Sequence, residues 1–177
     1  MDIARKMESY TIEDIYILPD GERAELIDGK IYYITPPSTK HQRLLNYINT
    51  EINIYIREKN GEWEVFPVPF AVFLNKDNTI YVEPDISVIC DKDKITDKGC
   101  NGAPDWIIEI VWSSSRTMDY LTKLFKYRTS GVREYWIVDP FKERITVYFF
   151  ERESVEEYFF GEDIPVGIYE GFSIKVQ

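Results

Sequence analysis

The chain of 177 residues is 44% apolar and carries four Trp, thirteen Tyr and ten Phe, which predicts one globular domain over residues 1–177 with a core of ordinary size. No apolar run approaches the roughly 18 residues needed to cross a bilayer, and the opening MDIARKMESY lacks the apolar segment of a secretory leader, so a soluble cytoplasmic protein without membrane attachment is expected. The net charge of -10 opposes tight binding to phosphate backbones, so any affinity for DNA is expected to be low.

Thr11 ahead of IEDIYIL predicts a short capped helix that ends before Pro19. The segment AELI-DG-KIYYI reads as a hairpin, because Asp28-Gly29 accepts the positive φ angles of a two-residue turn. After Pro36-Pro37, Ser38 caps a long helix running through Lys59 with Gly61 closing it, and Leu45, Ile48, Ile52 and Ile56 recur on one face. Strands follow over 63–74 and 80–90, separated by the turn-forming Lys76-Asp77-Asn78-Thr79. DWIIEIVW, residues 105–112, has the near-continuous apolar character of a central strand, interrupted only by Glu109. Residues 116–130 read as a helix stopped by Gly131, with Met118, Leu121, Leu124 and Phe125 turned to the core. EYWIVD, 134–139, is the next strand, and ERITVYFF, 143–150, pairs back across Pro140-Phe141-Lys142. Strand, helix and strand within about 35 residues favour a parallel crossover between flanking hairpins, hence an α+β fold with a mixed central β-sheet flanked by helices.

Residues 113–133 hold Arg116, Lys123, Lys126, Arg128 and Arg133 against Asp119, a local excess of about +4 that is either a solvated helix face or a phosphate-contacting one. Cys90 and Cys100 lack metal-ligand spacing.

Glu109 demands an explanation, since a carboxylate among Ile107, Ile108, Ile110 and Val111 costs several kcal/mol unless it is paired, exposed at a strand end or protonated. Three Pro-Asp dipeptides offer a second carboxylate. Asp20 belongs to a Pro-Asp-Gly turn. Asp105 shares the strand of Glu109, and four residues of extended chain separate their α-carbons by roughly 13 Å. Asp85 opens a different strand, one able to lie beside that of Glu109. Two ionised carboxylates about 4 Å apart repel by around 1–4 kcal/mol, so such a pair calls for a hard divalent cation, Mg2+ with Mn2+ as its substitute.

Pro84-Asp85 followed by Glu109 resembles the PD-(D/E)XK nuclease signature, and APDWIIEIV…SSR…D…K…Y…GVREYWIVDP closely resembles the Uma family of bacterial restriction-endonuclease-like proteins. The likeness spans nearly the whole chain, from ELIDGKIY through His41 to the last strands. It implies a restriction-endonuclease-like fold in which Asp85 and Glu109 hold the metal, with the Ile110 carbonyl as a backbone ligand and Glu25 as an N-terminal acid completing the site. The signature lysine position is Val111 here, so the cation is expected from Lys123, which matches a family lysine on the following helix; Arg116, Tyr120, Lys123 and Tyr127 form one stripe at helical spacing. His41 falls on the apolar stripe of the long helix, where a core histidine is the commoner meaning, while the family likeness implies a donor at the site's edge. One departure is Trp112-Ser113-Ser114 where relatives carry Ser-Pro-Ser, which removes a fixed φ from the turn that aims Lys123.

The expected function is an Mg2+-dependent endonuclease hydrolysing phosphodiester bonds in DNA, with phosphate contacts from Arg116, Lys126 and Arg128 and possible doubling of that patch in a homodimer. The alternative is a catalytically inactive nuclease-fold module for interaction or nucleic-acid binding, which the acidic surface and Val111 favour. Hydrolysis of a small nucleotide is a third reading.

Overall fold

A computed structural model describes residues 9–76, 78–112 and 115–177. The expected turn at Lys76 to Thr79 and the Trp112-Ser113-Ser114 departure therefore fall partly outside the described residues, at Asp77 and at Ser113 and Ser114. The chain opens with α1 (Ile12–Tyr16), where the Asp14 carboxylate accepts from the Thr11 backbone N–H at 2.8 Å. The hairpin β1 (Ala24–Ile27) and β2 (Lys30–Tyr33) forms as expected, with Asp28 at φ 50° and Gly29 at φ 72° in its turn. Helix α2 (Thr39–Glu58) begins where the Ser38 hydroxyl accepts from the His41 N–H. At its end Asn60, rather than Gly61, takes the left-handed conformation, and the Gly61 N–H closes onto the Ile56 carbonyl at 2.8 Å.

The two long strands expected over 63–74 and 80–90 are broken. Their ordered parts are β3 (Glu64–Pro67), β4 (Val72–Phe73) and β5 (Ile86–Ile89), with Tyr81 and Val82 making isolated bridges to Leu26 and Val72. Pro67, Pro69 and Pro84 lack the N–H that a continuous ladder requires. Next come β6 (Ile95–Thr96), β7 (Gly99–Asn101) and β8 (Trp106–Ile110), then a π-helical turn (Met118–Lys123) running directly into α3 (Leu124–Ser130). The chain finishes with β9 (Glu134–Asp139), β10 (Arg144–Phe149), β11 (Ser154–Phe159), β12 (Asp163–Pro165) and β13 (Ser173–Lys175).

The central sheet has the order β11-β10-β9-β8-β5-β3, with β8 and β9 parallel and every other neighbour antiparallel. One face packs on α2 through Leu44, Leu45, Ile48, Ile52 and Ile56 against Ile86, Val88, Trp106, Ile108 and Trp136. The other face, with Ile107, Val111, Tyr135 and Ile137, meets Tyr127 and the flank of the π-turn. Burial on both faces explains why β8 and β9 read as unbroken apolar runs. Among the described residues no helix is long and apolar enough to cross a membrane.

The helix over 116–130 is turned partly away from its expected buried side: Met118 and Leu124 pack against the core as expected, but Leu121 and Phe125 do not. Leu121 and Phe125 are 65% and 62% exposed, while Asp119, Lys123 and Tyr127 are buried. The expected stripe also splits: Tyr120 lines a separate surface groove and Arg116 reaches Asp139, leaving Lys123 and Tyr127 on the inward side. The reason lies beneath the helix, where the sheet presents a carboxylate, Glu109, instead of another aliphatic side chain.

Candidate functional site

The β5–β8 ladder pairs Ile86 with Ile108 and Ser87 with Ile107. Asp85 lies one residue before the start of β5 and Glu109 one residue past the last pair of the ladder, so both stand at the same end of the two strands and line one cavity. Asp85 is fixed there from two sides. Its Oδ2 accepts from the Ile110 N–H at 2.7 Å, and its carboxylate accepts from His41 Nε2, 3.0 Å from Oδ1. The His41 ring is in turn stacked on Trp112, with centroids 5.2 Å apart.

Glu109, 4% exposed, shares one oxygen between two donors: Lys123 Nζ at 2.9 Å and the Tyr127 hydroxyl at 2.7 Å from Oε1. Lys123 also contacts Glu25 Oε2 at 2.9 Å and Asp119 Oδ1 at 3.8 Å. Glu25 projects from β1, and its Oε1 accepts from the Glu83 N–H at 3.0 Å, which ties the hairpin to the segment leading into Asp85. Asp119 accepts from the Ser115 hydroxyl at 2.6 Å, and Ser115 Oγ accepts from the Trp112 N–H at 3.1 Å. The π-turn widens the helix where Asp119 and Lys123 face inward, a common use of such turns at working sites.

Glu25, His41, Asp85, Glu109, Ile110 and Lys123 all line one cavity of about 340 Å³. The structure thus brings together every residue singled out for the site, and adds Asp119, Ser115 and Trp112 to its wall. Asp119 and Ser115 escape a reading of the sequence although the signal is there: Ser115, Asp119 and Lys123 recur four residues apart, the spacing of one helix face, and their side chains meet one another. His41 directs Nε2 to Asp85. Asp105 stays outside, accepting from the Cys90 N–H and pairing with Arg133.

The electrostatics follow from crowding. Burial, followed in weight by the relief that Lys123 gives and the pressure of Asp119, Asp85 and Glu25, raises the Glu109 carboxyl well above the usual range. Burial likewise pushes Asp119 up to about 6, partly offset by Lys123 and the Ser115 hydrogen bond. Desolvation works against the Lys123 ammonium, but Glu109, Glu25 and Asp119 hold it well above its ordinary value.

The basic segment is neutralised within the chain itself. Arg116 pairs with Asp139, Lys126 with Asp28, Arg128 with Glu153, Arg133 with Asp105 and Glu151, and Lys123 with the buried acids. Each cation of the segment thus has an acidic partner elsewhere in the sequence, with Arg128 and Glu153 both exposed to solvent.

Among the described residues no three His, Cys, Asp or Glu side chains are grouped as a metal-ligand set by themselves. The donor chemistry still fits a hard cation. Glu25, Glu109 and Asp119 contact the Lys123 ammonium and Asp85 lines the same cavity, a concentration of carboxylate oxygens, and magnesium is ordinarily held by one or two carboxylates with water completing its shell. Asp85, Glu109 and the Ile110 carbonyl would supply that number of protein ligands.

A family model described as "Putative restriction endonuclease", Uma2, matches residues 10–177. The chain is also similar to a crystal structure from Anabaena variabilis ATCC 29413 described as "a putative nuclease belonging to DUF820", with 22% identity, 89% of each chain covered and a TM-score of 0.72. That likeness establishes the architecture, which is α+β and restriction-endonuclease-like. Comparison with curated proteins gives no match.

Proposed function

We propose, from the premise that this chain belongs to the Uma2 family, that it hydrolyses phosphodiester bonds in DNA with the help of a divalent metal ion. The observation that carries the reading is the convergence of Asp85 and Glu109, from adjacent antiparallel strands, on a cavity that also holds Lys123. Mg2+, or Mn2+ in its place, would be held by Asp85, Glu109 and the Ile110 carbonyl and would supply Lewis-acid charge compensation at the scissile phosphate.

The side chains have separable tasks. His41 and the Ile110 N–H fix the Asp85 carboxylate, and Tyr127 fixes that of Glu109. Lys123, gripped by Glu25 and Glu109, presents a preorganised ammonium that offsets the charge building on phosphate oxygens in the transition state. It takes the part that Val111, buried in the core, has no chemistry to play.

A second reading, an inactive nuclease-fold module, is favoured by the closure of the same ion pairs: Lys123 already compensates Glu25 and Glu109 without a metal. Nicking of supercoiled plasmid in Mg2+ or Mn2+ decides between them. The wild type nicks, and Glu109→Gln and Lys123→Met each lose about a hundredfold in rate. Calorimetric titration with Mg2+ gives heat with the wild type and none with Asp85→Ala. Absence of nicking and of metal binding in the wild type, or cleavage persisting in both variants, overturns the proposal.

A further inference from the structure

We infer that the substrate of this site is a single-stranded or locally unpaired DNA segment, gripped by base stacking on Trp112 and Tyr33. The inference rests on the reading of the cavity as a phosphodiester site and names the class of nucleic acid it takes.

Three observations point the same way. First, the reacting carboxylates are recessed: Glu109 is 4% exposed and the Asp85 side chain 14%. A phosphate must enter the cavity of about 340 Å³ to meet them, a space the size of one nucleotide unit, so a duplex would have to present one phosphate inward from its surface. Extruding one nucleotide from a duplex costs unpairing and unstacking energy, and that cost is least for a strand already unpaired.

Second, the cations that would track a duplex backbone are already engaged, since Arg116, Lys126 and Arg128 on the crossover helix and Arg133 after it each pair with a carboxylate, so a phosphate would have to compete for them. With a net charge of -10 on the chain, affinity built on phosphate contacts is weak. Another source of binding energy is required.

Third, the cavity wall supplies one. Tyr32, Tyr33 and Trp112 border it, and Tyr33 is 63% exposed, so its ring contributes little to the core. The Trp112 indole is stacked by one face on the His41 ring, while its backbone N–H bonds to Ser115, which places an aromatic ring at the margin of the cavity. Stacking on such rings is indifferent to base identity and is the usual grip on single strands.

The test is fluorescence anisotropy with the full chain and labelled DNA, with Ca2+ in place of Mg2+ so that binding is read without cutting. A short single-stranded oligonucleotide binds about tenfold tighter than the same sequence as a blunt duplex, and Trp112→Ala and Tyr33→Ala each weaken that binding about tenfold. Trp112→Phe, which keeps a stacking ring, retains most of the affinity; Tyr33 is exposed enough that its replacement leaves folding intact. Equal or tighter binding of the duplex, no binding of either form, or unchanged affinity in both alanine variants overturns the inference. Displacement of the oligonucleotide by thymidine monophosphate at matching concentration also overturns it, in favour of a free nucleotide. A chain that binds single strands and never cuts refutes only the nuclease reading, and one that nicks through Glu109 yet prefers duplex refutes only this inference.

Discussion

Lys123 Nζ lies 2.9 Å from Glu109 Oε1, and both side chains are buried where the crossover helix passes over the central sheet. The pair joins two elements that the sequence separates by a loop, and it inverts the usual polarity of a packed helix. Its ammonium compensates Glu25 as well, so its loss strands two acids at once.

Replacing Lys123 by Met keeps the length of the side chain and removes the charge. Leaving a buried partner uncompensated costs about 3–5 kcal/mol. Urea unfolding at neutral pH reads this as a lower midpoint, and acidification narrows the gap to the wild type because the stranded acids take up protons.

Tyr127→Phe removes a single donor to Glu109. The ring keeps its edge contact with Tyr135, whose centroid is 5.0 Å away, so packing survives. A hydrogen bond to a charged group contributes about 1.5–3 kcal/mol. Thermal unfolding falls by an amount in that range, and nicking slows because Glu109 loses one of its two restraints.

The raised carboxyl of Asp119 sets a sign for pH dependence. Its folded value of about 6 lies above the 3.8 of an unperturbed Asp, so the folded state binds the extra proton in between. The stabilisation is full below the unfolded value and is lost as pH rises through about 6, a cost of about 3 kcal/mol by linkage. Asp119→Asn removes that dependence. Denaturation midpoints across pH 4 to 8 then fall less steeply in the variant, and the variant is the more stable protein above about pH 6.

Leu121 offers a contrast. Periodicity assigns it to the core, whereas it is among the exposed side chains of the helix. Leu121→Lys therefore changes stability by no more than about 0.5 kcal/mol, as at ordinary surface positions. A loss of several kcal/mol in urea would show that the helix sits the other way round.

The sequence carries some of this arrangement and hides the rest, for identifiable reasons. Asp85 and Glu109 are legible because one opens an apolar strand, the other interrupts one, and the two strands pair directly. The hairpin at Asp28-Gly29 and the buried stripe of α2 are local patterns, and both form as read. The orientation of residues 116–130 is not local: its inward side is chosen by Glu109 and Glu25, whose side chains arrive from β8 and β1. Amphipathic periodicity assumes an apolar floor, and this floor contains acids. Asp119 and Ser115 are legible at i, i+4 spacing with Lys123, but the apolar and basic residues of the helix dominate its pattern and they are passed over. The basic segment misleads because charge counting along the chain is blind to Asp28, Glu153 and Asp139, which reach it only through folding.

The π-turn at Met118–Lys123 makes the placement of Lys123 a matter of phase as much as of composition. Each residue of an ordinary helix advances the azimuth by about 100°, and a wide turn absorbs one surplus step. Deleting Thr122 would let the segment wind regularly and swing Ser115 and Asp119 out of line with Lys123, though none of the three had been altered. Insertions and deletions here act on the ammonium as directly as its own replacement does.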